Sequence, residues 1–523
     1  MLDDVLGNYL DTLTEREFDA PFLAILRVRG YYDIHFLHGA FEFGKDFIAK
    51  LDVSGVTYQV SFQTKGGNIG VGDWREARGQ IDEMRTNNLA HPNFDASLPR
   101  RTIFVTTGRL TGAAPLSSQE YGRHLDQLGE GGFEVWDRET ILGDLTRHPD
   151  LSVAGNLDEQ LLRIVVEIAS GTATPTMLEE YSRTWLDGPA KSMWRGALSA
   201  GVIASRCREA NRLDLAAVTG LLLVRASAFR LIADGSADGD VLADVAGDLF
   251  ERYAIELGDR CRGREADPDL FLGAGEIAIW TTYPIRVLRT AEVLALAALR
   301  QRYRDSGGAG GLEGQVLEIV HAQPGAAHPF SDAWAASLVP IGLVVGLSDQ
   351  ELFGRWATEV VRWIANRYDD SPGLAPLGAT PREEVDYVAG AALEHVNVER
   401  RTTCLSATAI LDLVSVFERS DLYELAVNEL LAVGVFPDVV EVGDNTDQAV
   451  RDGETVTRQV NWAHDESWTP TDGWKTAAHH RRTPDPFSLC ARGRMWEHLA
   501  LIAVLRDRMF ATTQRHVVMG APR

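Results

Sequence analysis

Residues 41–67, FEFGKDFIAKLDVSGVTYQVSFQTKGG, place a carboxylate, an amide and an ammonium where they could do chemistry together: Asp46, Gln63 and Lys65. Side chains along a strand alternate between two faces, so Gln63 and Lys65 share one. Ser54-Gly55 separates two runs rich in β-branched and aromatic residues and reads as a hairpin turn. Counting outward from that turn sets Asp46 opposite position 63, and the three side chains converge at one end of the hairpin. A carboxylate, a second oxygen donor and a lysine in that arrangement suit metal-assisted hydrolysis of a phosphodiester. The carboxylate would hold Mg²⁺ or Mn²⁺, since Mg²⁺ binds through one or two carboxylates plus phosphate and water. The ion would acidify water and offset phosphate charge. The lysine would orient the water or meet developing negative charge. The plainer reading of the same residues is a cross-strand ion pair between Asp46 and Lys65, worth roughly a few tenths of a kcal/mol.

Several elements must hold that end in place. LTEREFDAPFLAILRVRGY (residues 13–31) sets Glu17 three residues after Thr14, a capping-box spacing. Phe18, Phe22, Ile25 and Leu26 then recur at helical spacing until Gly30. Two strands follow, KDFIAKLDV and VTYQVSFQTK. In the second, Val56, Tyr58, Val60 and Phe62 form a packing face, and Thr57, Gln59, Ser61, Gln63 and Lys65 form the opposite one. GDWREARGQIDEMRTNN reads as a helix with Asp73 as N-cap. RTIFVTTGRL reads as a strand with Thr106, Thr107 and Gly108 at its exit. QEYGRHLDQL (helix), GFEVWDRE (strand) and TILGDL (helix) complete the region. The order α-β-β-α-β-α-β-α predicts an α/β domain with a central mixed sheet flanked by helices, over residues 1–155.

From residue 156 to 523 the periodicity is mostly helical. DSGGAGGLEG (residues 305–314) reads as a flexible break that would split this region. The segment 440–488 is polar, carries Trp462, Trp468 and Trp474, and reads as an irregular loop or insertion. AAHHRR, with His479 to Arg482, and NWAHDESW, with His464 beside Asp465 and Glu466, read as solvated loop rather than metal sites. Neither a phosphate-loop motif nor G-x-S-x-G occurs, so the chain shows no ATPase or serine hydrolase site of its own.

The 523 residues supply about three or four domains' worth of chain. At 45% hydrophobic and 24% charged, the composition is that of a soluble globular protein. The net charge of −24 argues against a large exposed nucleic-acid patch. Residues 1–150 hold 15 Lys+Arg against 23 Asp+Glu, so the first region is not basic either. DNA would therefore be gripped partly by a partner, by an oligomer or by a local patch such as Arg75, Arg78 and Arg85. The four cysteines, Cys207, Cys261, Cys404 and Cys490, are far apart and read as reduced buried thiols. The acidic start lacks the apolar core of a signal peptide. The longest apolar run, AASLVPIGLVVGLS, is too short to span a bilayer. The expected setting is the cytoplasm, without membrane contact.

Glu17 on the first helix, FEFGKD, QTK at a strand end and Gln80 on the next helix together resemble the Mrr-like branch of the PD-(D/E)XK restriction-endonuclease superfamily. The resemblance covers residues 10–150 and includes TIFVTTGRLTGAA and FEVWDRETILGDL. It implies a restriction-endonuclease-like fold and a Mg²⁺- or Mn²⁺-dependent DNA endonuclease. Asp46 matches the metal-binding aspartate and Lys65 the catalytic lysine. Gln63 stands where the superfamily name has Asp or Glu. A neutral amide binds metal more weakly, so Glu17 or Glu42 is expected to complete the charge, and Gln80 matches a helix glutamine of some members. The resemblance further implies a bacterial restriction or anti-phage effector, acting on DNA and restrained by oligomerisation or by a partner subunit such as an ATPase. Two other readings use the same residues: a non-catalytic scaffold on a degenerate nuclease fold, and an RNA-cutting effector.

Overall fold

The computed structural model describes residues 2–37, 44–89, 91–130, 132–148, 151, 159–186, 190–234, 237–272, 276–304, 310–369, 372–389, 400–437, 439–442, 457–460 and 494–505. The chain divides into two compact units. One comprises Met1–Val166 and Gly188–Val202, the other Glu167–Asp187 and Ile203–Arg523.

The first unit is built on a five-stranded sheet of order β1-β2-β3-β4-β5: β1 Tyr32–Phe36, β2 Phe47–Val53, β3 Val56–Lys65, β4 Arg100–Thr106 and β5 Phe133–Trp136. The first three strands pair antiparallel and the last three parallel, which makes the sheet mixed. Its helices are α1 Leu2–Thr12, α2 Glu15–Val28, α3 Val71–Thr86, α4 Ala114–Gln127 and α5 Arg138–Arg147. The hairpin of β2 and β3 turns at Ser54 (φ 51°) and Gly55 (φ 83°). Two successive positive φ values suit the right-handed twist of the strands. The register Val53↔Val56 to Phe47↔Phe62 follows from that turn.

Alternation along β3 sends Val60 and Phe62 to one side, where Phe22 of α2 meets Phe47 and Phe62 with ring centroids 5.2 and 5.5 Å away. Phe18, Phe22, Ile25 and Leu26 are the buried stripe of α2. On the other side α3 and α4 bring Trp74, Ala77, Ile81, Met84, Tyr121 and Leu125 around Phe104 of β4. Gln63 is the register neighbour of Phe104. The polar face of β3 is therefore covered: Gln59, Ser61 and Gln63 are all buried.

Three features depart from the expected elements. The helix α1 and the strand β1 were not anticipated, although Leu6, Tyr9, Leu10 and Leu13 recur at helical spacing and are buried. The edge strand β1 was hidden by an irregular register between Tyr32 and His35 and by Asp33 at φ 48°. The helix α3 begins at Val71 with Gly70 as its cap. Asp73 is not the N-cap; it lies three residues on and its carboxylate accepts from the Gly70 N–H at 2.9 Å.

The second unit is mainly helical. The helices Leu213–Asp234 and Ala237–Cys261 pack together, and Met495–Leu505 lies against the first of them. Glu276–Arg304 packs on Gly310–Ala322 and on Ala335–Ser348, the latter buried along nearly its whole length. The expected break at 305–314 is corrected over its second half. Gly310 to Gly314 open a helix, because Leu312, Val316 and Ile319 bury one face of it. Residues 305–309 lie outside the described residues. Of the segment 440–488, only Val440–Val442 and Thr457–Val460 are described, and they belong to an antiparallel pair of strands. Trp462, Trp468, Trp474 and the histidines at 464, 479 and 480 lie outside the described residues. Cys207, Cys261 and Cys404 are free and buried. No described helix is long and apolar enough to cross a membrane.

Candidate functional site

Asp46 sits just before β2, and its N–H donates at 2.8 Å to the carbonyl of Phe62, the residue already paired with Phe47. The paired register ends at Phe47↔Phe62, so Asp46 shares the rung of Phe62 in a bulge-like step and is not carried opposite Gln63 as counting from the turn expects. Its carboxylate oxygen Oδ2 accepts from the Thr64 N–H at 2.6 Å and from the Thr64 hydroxyl at 3.1 Å. Burial pushes the carboxyl above the usual aspartate range and Glu15 adds to this, while the Thr64 bonds and the Lys65 ammonium pull it down. Thr64, not Lys65, is the hydrogen-bond partner of this carboxylate. The lysine acts on it through its field.

Gln63 is 2% exposed. Its Nε2 donates to Oε1 of Gln80 on α3, and its own Oε1 is buried with no hydrogen-bond partner. Native structures rarely leave such an oxygen without a donor or a cation. The approach of α3 depends on Gly44 (φ 72°), where an added Cβ would stand 2.6 Å from the Gln80 carbonyl oxygen. The turn into Asp46 and the middle of α3 are thereby in direct contact.

Lys65 ends β3, half-buried, and its backbone is clamped. Its carbonyl accepts from the Thr107 N–H at 3.2 Å. The Gly67 N–H donates to the Thr107 hydroxyl at 2.9 Å, and the Thr106 hydroxyl donates to the Gly67 carbonyl at 2.6 Å. A Cβ on Gly108 would stand 2.2 Å from the Gly67 carbonyl carbon. Thr106, Thr107 and Gly108 therefore position the strand exit, a role their sequence position at the end of β4 only marked.

The acids fall differently from expectation. Glu17 does form the capping box with Thr14, but the box claims its carboxylate. Oε2 accepts from the Thr14 N–H at 3.0 Å and its hydroxyl at 2.8 Å, and Oε1 accepts from Arg195 Nη2 at 2.9 Å. The acid whose field reaches Asp46 is Glu15, two residues earlier and exposed. Its backbone N lies 3.6 Å from where a Cβ on Gly66 would stand, so the start of α2 abuts the residue after Lys65. Glu42 lies outside the described residues. Lys45 beside Asp46 is fully buried and donates to the Asn87 carbonyl at 3.1 Å; burial, with Arg100, holds its ammonium down to about 8.

Of the three arginines on α3, one is taken up within the fold while Arg75 and Arg78 are exposed. Arg85 Nη2 is bound to Glu130 at 2.6 Å, because α3 delivers it to the end of α4 rather than to solvent. Arg78 lies 5.1 Å over the Tyr121 ring.

Asp46, Gln63, Gln80 and Lys65 are thus brought to one end of the hairpin. Among the described residues no group of three or more His, Cys, Asp or Glu forms a metal cluster. The donors present are a desolvated carboxylate and an orphaned amide oxygen. An oxygen-only set of this kind fits a hard divalent cation that keeps several waters, and not a soft one. Comparison with family models, with curated proteins and with solved structures returns no match.

Proposed function

We propose that the first unit is a Mg²⁺- or Mn²⁺-dependent DNA endonuclease with a restriction-endonuclease-like fold. The observation that carries the reading is the buried, unpartnered Oε1 of Gln63, which lies between the two residues of β3, Phe62 and Thr64, that Asp46 bonds. A bound ion would supply Lewis-acid stabilisation of the phosphate and a more acidic water. The residues of this chain hold and orient. Thr64 fixes one oxygen of Asp46, and Gln63, the residue before Thr64, offers its amide oxygen. Glu15 contributes the second negative charge that a neutral Gln63 lacks. Lys65, its backbone clamped by Thr107, presents an ammonium to the attacking water or to charge developing on the phosphate.

In its wider role we propose a restriction or anti-phage defence effector, restrained until an oligomer or a partner subunit such as an ATPase engages the helical unit. The net charge of −24 supports outside help in gripping DNA. The test is cleavage of plasmid DNA and of RNA, side by side, by the purified chain with Mg²⁺ or Mn²⁺. DNA cutting by the wild type and none by Lys65→Ala is the expected result. Cutting of RNA alone would make the protein an RNA-directed effector. No cutting, together with no metal-dependent thermal shift that Asp46→Ala removes, would leave a non-catalytic scaffold.

A further inference from the structure

We infer that Gln80 is a positioning residue: by accepting from the Gln63 amide nitrogen, it leaves the Gln63 carbonyl oxygen unpartnered and makes a neutral side chain usable as a cation donor. The inference rests on the metal-dependent reading and gives Gln80 a specific part in it. An amide side chain has two ends of opposite polarity, a carbonyl that accepts and an NH₂ that donates twice. Its shape is nearly the same either way round, so packing alone does not choose between them. Reversed, Gln63 would aim two N–H groups at the cation and oppose its binding.

In the structure Gln63 donates to Gln80 Oε1, and this bond leaves Gln63 Oε1 buried and unpartnered. Gln80 is itself held close, because Gly44 lets the turn before Asp46 touch its backbone. Thr64 meanwhile occupies one oxygen of Asp46 and does not compete for Gln63. A glutamate at position 63 would have two equivalent oxygens and no wrong end. The need for Gln80 is therefore a consequence of the amide.

That dependence gives the test. Mn²⁺ binding to the full chain is measured by calorimetry for the wild type, Asp46→Ala, Gln80→Glu, Gln80→Met, Gln63→Glu and the double variant Gln63→Glu/Gln80→Met. Gln80→Met keeps the volume and removes the acceptor. It should weaken Mn²⁺ binding by about 10- to 100-fold, the usual effect of losing an outer partner of a metal ligand. Gln80→Glu keeps an acceptor and should retain binding. In the Gln63→Glu background, Gln80→Met should change affinity less than about threefold, because no orientation remains to be set. Equal losses in both backgrounds would make Gln80 a packing residue and overturn the inference. So would unchanged binding by Gln80→Met, and in that case the metal site itself would stand. Wild-type binding that Asp46→Ala does not reduce would overturn the metal reading and this inference with it.

Discussion

Replacing Lys45 by methionine should stabilise the first unit at neutral pH, although it removes a charged group and its contacts, the bond to the Asn87 carbonyl among them. Lys45 has no exposed surface, and its ammonium is held from 10.5 down to about 8, chiefly by desolvation. At about 1.4 kcal/mol per pH unit, keeping that charge in the fold costs about 3 kcal/mol at pH 7. Methionine removes the charge but leaves the Asn87 carbonyl, now bonded at 3.1 Å, without this donor. That loss is worth roughly 1–2 kcal/mol, so the variant should gain about 1–2 kcal/mol at pH 7. The pH dependence follows from the sign. Below about 8 the lysine is charged in both folded and unfolded chains, and the cost is present in full. Between about 8 and 10.5 the unfolded chain binds more protons than the folded one, so wild-type stability rises with pH and the advantage of the variant shrinks. Urea titration at pH 7 and 9.5, with pulsed hydrogen exchange read on the hairpin of residues 47–65, reports this unit rather than the helical one. A variant less stable than wild type at pH 7, or an advantage equal at both pH values, would refute the reasoning.

Asp46→Asn should also raise the melting temperature of the metal-free protein. Burial lifts the Asp46 carboxyl, so its ionised form weakens the fold increasingly as pH rises through that raised value; the same variant should lose the Mn²⁺-dependent thermal shift, and a wild-type-like shift would contradict the assignment. Gly108→Ala would drive a methyl group into the backbone of Gly67, costing about 1–3 kcal/mol as overpacking and displacing the exit of β3. It should reduce cleavage far more than a neighbouring change at exposed Arg109, and equal cleavage rates would show that the clamp on Lys65 is unnecessary.

What could be read from the sequence was local. The turn at Ser54-Gly55 and the alternation of β3 determine the register as far as Phe47↔Phe62, but counting did not foresee the bulge-like step that bonds Asp46 to Phe62 as well. The pattern of Thr14 and Glu17 likewise announced the start of α2. It also misled: a spacing that identifies a capping glutamate says that its carboxylate will be occupied, and Glu17 is occupied. Glu15 gave no signal, because its importance comes from the packing of the α2 start against Gly66. Arg195 lies 178 residues from Glu17, and no periodicity joins them. The burial of the polar face of β3 was equally invisible. Alternation separates two faces, but only tertiary packing decides that both are covered. Arg85 shows the same limit, since its partner Glu130 arrives on the loop that follows α4.

The first unit is not contiguous. Gly188–Val202 belongs to it, although Glu167–Asp187 does not. On the ribosome this imposes a wait. A chain grows at about 5–20 residues per second, so the sheet and its flanking helices, which end at Arg147, emerge roughly 3–11 s before Val202, the last of their partners. Until then Glu17 has its cap but lacks Arg195. A fragment ending at Val166 would remain in that unfinished condition permanently, and one extended to Val202 would not.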